Sequence, residues 1–191
     1  MSDALKVISS CLVFALLPSN VGHAGEPLPA DSIYRLASTW TRQDGTLVHL
    51  DSFAGHPRLI AMIYTSCRYT CPMTVAALRR IERALPESER AGVSFILVSF
   101  DAVHDTPAEL ARFASAQKLD PARWTLLHGE EPSVRELATV LGVHYKKLPN
   151  GDFTHDNALL LLDASGVIRA RSADLENIDE IVKAVSSIHG L

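Results

Sequence analysis

The sequence has little cysteine: three residues in 191. Cys11 lies in an N-terminal apolar stretch, so the rest of the chain holds only Cys67 and Cys71. A single short bridge between them would close a small loop and stabilise the chain little, so a structural staple explains the pair poorly. Basic clusters are also missing. The longest basic runs are Arg79-Arg80 and Lys146-Lys147, and the formal net charge is −4. With no basic stripe, nucleic acid is not an expected partner. No apolar run approaches the roughly 20 residues of a comfortable transmembrane helix. Internal repeats and low-complexity segments are absent, and the length suits one domain with a real core.

The N-terminus differs from the rest. Lys6 precedes the apolar run Val7–Leu17, and small residues follow at Gly22-His23-Ala24-Gly25. This is the layout of a secretory signal peptide over 1–24, cleaved after Ala24. Cys11 would leave with it. Two other readings stay open: a lipoprotein signal at Ile8-Ser9-Ser10-Cys11, and an uncleaved segment that anchors the protein to a membrane. Most of the apolar stretch follows Cys11, which argues against the first. Residues 25–37 read as a linker, and 38–191 as the folded domain.

Within that domain, Ser38–Leu50 predicts a hairpin turning at Asp44-Gly45. Leu59–Thr65 and Val93–Phe100 are apolar runs of buried-strand length. Val75, Leu78, Ile81 and Leu85 recur at helical spacing after Pro72. Thr106-Pro107-Ala108-Glu109 is a capping box opening another helix. A short strand at Trp124–Leu127 and a helix carrying Val134, Leu137, Ala138 and Leu141 follow. Residues 142–157 read as a loop with a short hairpin at Asn150-Gly151. A second hairpin, through Ala164-Ser165-Gly166, leads to a last helix with Ile178, Ile181, Val182, Val185 and Ile188, ended by Gly190. Strands alternating with helices indicate an α/β sandwich on a βαβ core.

The chemistry centres on Cys67-Arg68-Tyr69-Thr70-Cys71-Pro72, at the end of the first buried strand. Pro72 fits the first position of a helix. Both thiols then sit at a helix N-terminus, where the dipole favours thiolate. A separation of four rises only about 6 Å on a helical turn and keeps both sulfurs on one side. Thiolates bind soft metals and carry disulfide exchange.

A cysteine pair at a strand–helix junction in this element order resembles the thioredoxin fold. The spacing is not C-x-x-C. Instead, Thr65-Ser66-Cys67, three residues and Cys71-Pro72 resemble the SCO/SenC family of copper proteins that help assemble cytochrome c oxidase. Val98-Ser99-Phe100-Asp101, Asp105-Thr106-Pro107, Trp124, Gly129 and Thr154-His155-Asp156-Asn157 agree with further segments of that family, from about Thr39 to about Leu175. Arg68-Tyr69 and Thr154-His155-Asp156 depart from its commoner Pro-Asp and Asp-His-Ser.

The resemblance implies a thioredoxin-like sandwich with an N-terminal β-hairpin extension. It implies copper, as Cu(I), Cu(II) or both, held by Cys67, Cys71 and His155. Two thiolates and an imidazole suit copper, whereas structural zinc prefers four protein ligands. His155 also precedes an apolar strand, and the absence of proline after Pro149 argues for a ligand histidine rather than the peptide-clamping cis-proline of thioredoxins. Asp101 and Asp105 would orient a ligand or form a docking surface; otherwise they end a strand and start a helix. Met73 is a packing residue or a weak ligand, and Arg68 a charge near the thiols or a solvent-facing residue. The implied role is a periplasmic or exported protein that delivers copper to, or readies the thiols of, an oxidase copper site. Its partner would be the oxidase subunit or another copper carrier. A metal-free thiol:disulfide oxidoreductase using Cys67 and Cys71 is the alternative. Peroxide reduction fits less well, because Tyr64-Thr65-Ser66 lacks the proline that peroxiredoxins place before their cysteine.

Overall fold

In the computed structural model of the protein, residues 27–67 and 70–189 are described. The signal-peptide reading of 1–24, the role of Arg68 and the terminating Gly190 lie outside them. No described helix is long and apolar enough to cross a membrane.

The chain opens with a hairpin, β1 (Thr39–Arg42) and β2 (Leu47–His49), as Asp44-Gly45 predicts. Next come β3 (Arg58–Ile63), α1 (Thr70–Ala84), the short α2 (Glu87–Arg90), β4 (Ser94–Ser99) and α3 (Pro107–Ala116). The order continues with β5 (Trp124–Gly129), α4 (Glu131–Leu141), β6 (Tyr145–Lys147), β7 (Phe153–His155), β8 (Leu159–Leu162), β9 (Ile168–Ser172) and α5 (Asp179–His189).

Seven strands form one sheet in the order β2-β1-β5-β4-β3-β8-β9, while β6 and β7 form a separate two-stranded ribbon. β3, β4 and β5 run parallel, with helical crossovers between them. β8 pairs antiparallel to β3, with Ala61 opposite Leu159. Leu59–Ile63 and Phe95–Ser99 are buried at every position, not at alternate ones. Strands covered on both faces need no polar alternation, which is why they read as unbroken apolar runs. Adding the β1–β2 hairpin and the β8–β9–α5 end to the βαβ centre gives the thioredoxin-like sandwich.

The helices follow their apolar spacing. Val75, Leu78 and Ile81 of α1 are buried, with Leu85 just beyond it. Val134, Leu137, Ala138 and Leu141 of α4 are buried together. The Thr106 hydroxyl accepts from the Glu109 N–H at 3.3 Å, the first half of a capping box. Gly129 is explained by Trp40, its partner across β1 and β5. A Cβ there would stand 2.5 Å from the indole, which is fully buried.

Two differences from the sequence reading concern the ends of elements. Residues 25–37 are more than a linker: Ile33–Arg35 form a 3-10 turn, and Ile33 and Tyr34 are core residues. Burying an isoleucine and a tyrosine outweighs the loop-like Pro and Gly content before them. α1 begins at Thr70, so Pro72 is its third residue. The first four helical N–H groups have no intrahelical acceptor, so a proline there still breaks nothing.

Candidate metal centre

The turn after β3 is organised by hydrogen bonds to sulfur. The Cys71 N–H, in the first turn of α1, donates to Cys67 Sγ at 3.4 Å. The Tyr64 N–H donates to Cys71 Sγ at 3.4 Å, and the Tyr64 carbonyl accepts from the Cys67 N–H at 3.3 Å. Each sulfur therefore accepts one backbone N–H, Cys67 from the first turn of α1 and Cys71 from the residue after β3, and such a bond lowers a thiol's pKa.

The two cysteines are not equivalent. Cys67 is half-buried and Cys71 is buried; neither is in a disulfide. Burial pushes the Cys71 thiol well above its ordinary value, against the lowering effect of the Tyr64 N–H, with Cys67 and Asp105 adding to the rise. Cys71 is a protonated thiol at neutral pH until something displaces its proton.

His155 arrives from the other side, at the end of β7. Its Nδ1 lies 3.0 Å from the Asp156 carbonyl. A carbonyl only accepts, so in the neutral ring Nδ1 carries the hydrogen and Nε2 the lone pair. The ring packs against Phe100 at 5.0 Å and meets Tyr64 edge-on at 5.9 Å. One ligand atom each from Cys67, Cys71 and His155 lie within 4.8 Å of one another. Residues 67 and 155 are thus brought together by topology: β8 pairs with β3, and the β6–β7 ribbon precedes β8. Two sulfurs and one nitrogen are a soft to borderline set suited to copper.

The aspartates separate in role. Asp105, 1% exposed, accepts from the Thr65 N–H at 2.8 Å, from the Thr65 hydroxyl and from the Ser99 hydroxyl. It pins the turn that leads into Cys67. Asp101, 3% exposed, bonds His104 Nδ1 at 2.8 Å and the N–H groups of Val103 and His104, closing its own loop. A docking surface needs exposed carboxylates, and neither has one. Met73 is half exposed.

Sequence reasoning missed the residues that join the two halves of the site. Tyr64 donates its phenol to Asp152 at 2.6 Å, Phe100 and Phe153 pack against its ring, and Tyr145 stacks on Phe100. The available signal was compositional. Aromatics are only 6% of the chain, yet Tyr145 and Phe153 flank one short loop segment.

The model of the SCO1/SenC family matches residues 32–190. The chain belongs to that family. A SCO1 protein homologue of Bacillus subtilis is 29% identical over 154 residues, spanning 78% of this chain and 79% of the relative. Among solved structures, Bradyrhizobium japonicum ScoI with copper bound has a TM-score of 0.66 at 26% identity, covering 80% of this chain and 96% of that one. BsSco, described as a member of the Sco family of cytochrome c oxidase assembly proteins with a disulfide switch, has a TM-score of 0.69 at 28% identity, covering 80% and 91%. The match begins at residue 32, where Ser32, Ile33 and Tyr34 enter the core of this SCO1/SenC chain.

Proposed function

We propose that this SCO1/SenC protein binds one copper ion through the thiolates of Cys67 and Cys71 and the imidazole of His155. It delivers that copper to, or readies the thiols of, the copper site of a respiratory oxidase. The observation that carries the reading is the approach of the three ligand atoms to within 4.8 Å of one another. Two thiolates alone satisfy Cu(I), and the imidazole makes the set acceptable to Cu(II). A cargo site must also be reachable, and Cys67 and His155 are only half-buried. The copper held by the Bradyrhizobium ScoI neighbour and the assembly role named for BsSco support the same reading. The apolar segment ahead of Ala24 supports export to the periplasm, after which no span would remain.

Copper titration of the reduced protein, with stoichiometry, is the test. One copper per chain is expected, with Cu(II) binding sharply weakened in His155→Ala while the fold persists. Unchanged Cu(II) affinity in that variant removes His155 from the site.

One observation favours a second reading, thiol:disulfide exchange. A half-exposed Cys67 beside a buried Cys71 matches an attacking and a resolving thiol. The attack would join Cys67 to a partner sulfur and release the partner's other thiol; Cys71 would then displace the partner and close the Cys67–Cys71 bond. That chemistry needs no imidazole ligand. Oxidase activity restored by His155→Ala, but by neither Cys67→Ser nor Cys71→Ser, under low copper, would replace copper carriage with exchange.

A further inference from the structure

Tyr64 touches every part of the site. Its N–H donates to Cys71 Sγ, and its carbonyl accepts from the Cys67 N–H. The edge-on contact with His155 and the 2.6 Å hydrogen bond to Asp152 come from its side chain. Asp152 immediately precedes β7, the strand that ends in His155. The phenol is therefore a polar bridge between the turn carrying the cysteines and the ribbon carrying the histidine.

The bridge matters because the ribbon stands apart from the main sheet. β6 and β7 pair with each other over three residues each, and the tip is the turn Leu148–Asp152. A two-stranded hairpin by itself is marginally stable in water. Rings of Tyr64, Phe100, Tyr145 and Phe153 pack at its base, but ring packing leaves a ribbon free to slide and tilt. A hydrogen bond to a carboxylate at a fixed point sets distance and direction.

We infer that Tyr64 is a positioning residue whose phenol latches the β6–β7 ribbon to the cysteine turn and so holds His155 within reach of the two sulfurs. With the latch closed the site offers three ligands; with it open it offers the two thiolates. The ligand half of this inference rests on the copper reading above, while the latch itself does not. The latch should act on Cu(II), which needs the imidazole, and hardly on Cu(I), which the thiolates satisfy.

The test uses Tyr64→Phe, which keeps the ring and removes the O–H, together with Asp152→Ala, at an exposed position where folding is not at stake. In the reduced, metal-free protein, amide hydrogens of β6 and β7 should exchange about tenfold faster in either variant, the effect of one charge-assisted hydrogen bond. Those of β3 and β4 should not change. The double variant should exchange no faster than the singles, because both remove one bond. Cu(II) affinity should fall about tenfold with a changed Cu(II) absorption spectrum, and Cu(I) affinity should change less than about threefold. Unchanged ribbon exchange in Tyr64→Phe overturns the latch. Faster exchange with Cu(II) affinity and spectrum as in the parent overturns the positioning of His155. Equal losses for Cu(I) and Cu(II) overturn it too, since the effect would then act on the cysteines. A parent protein that takes up no Cu(II) overturns the copper reading, and the exchange result still decides the latch.

Discussion

Cys67 and Cys71 hang from the end of β3, a strand paired on both sides within the seven-stranded sheet, whereas His155 ends β7, half of a two-stranded ribbon. Around the cysteines, order comes from backbone N–H groups, the first turn of α1 and the buried Asp105. Around the histidine it comes from side chains: the Tyr64–Asp152 hydrogen bond, the ring cluster, and Asp156, which accepts from the His144 N–H at 3.0 Å. The first region is tied to the sheet through the backbone of Tyr64 and Thr65. The second is tied to it mainly through side chains. Under the latch inferred above, the first is the fixed half of the site and the second the adjustable half, and the ligand number changes without unfolding.

The harshest way to break that comparison is to remove a sulfur. Cys71→Ser should lower Cu(I) affinity by well over the roughly 100-fold that outer partners of a metal site carry. Competition against a Cu(I) chelator measures it. His155→Ala should leave Cu(I) binding nearly intact and cost about 100-fold for Cu(II), with urea unfolding close to the parent. Comparable losses for both oxidation states would mean the halves are not separable. Asp105→Ala tests the fixed half from behind. It leaves the Thr65 N–H and Ser99 hydroxyl unpaired in a buried place and should cost about 2–3 kcal/mol in urea unfolding. Asp152→Ala, on the adjustable half, should cost less, about 1.5 kcal/mol, the loss of its one bond to the Tyr64 phenol.

A pH series sharpens the same contrast at smaller amplitude. The Cys71 thiol has its pKa raised by burial above its ordinary value of 9.0. Copper must displace its proton, so apparent affinity should rise with pH, about tenfold per unit for each proton released. The metal-free protein should go the other way. As pH passes 9.0 the unfolded chain ionises this thiol and the folded chain does not, so stability present below that pH is lost above it. Titration calorimetry and urea unfolding across pH 6–10 would show the two opposite slopes; parallel slopes would mean Cys71 is not the protonated partner.

What could be read before the structure follows from range. β3, β4, α1 and α4 are local patterns: an apolar run or a 3.6-residue spacing that the burial of Leu59–Ile63 and Val134–Leu141 reproduces. The cysteine pair is local as well. His155 was reachable through its place before β8 and through the family's pattern around it. Tyr64–Asp152 and Thr65–Asp105 are different, because their partners lie 88 and 40 residues apart. Only the strand order brings them together, and no periodicity marks the residue at the end of a buried run as the one that will meet a loop. Ile33 and Tyr34 escaped for a related reason: three residues are too few to show a period.

The order of the sheet has a consequence at its rims. β2, at one edge, is three residues long. β9, at the other, carries Arg169 and Arg171, exposed between less exposed neighbours. Arg169 pairs with Asp163, and Arg171 donates to the Leu141 and Gly142 carbonyls. Short or charged edges are poor templates for a further strand from another chain. Side-by-side strand association is thereby discouraged at both rims of the sheet.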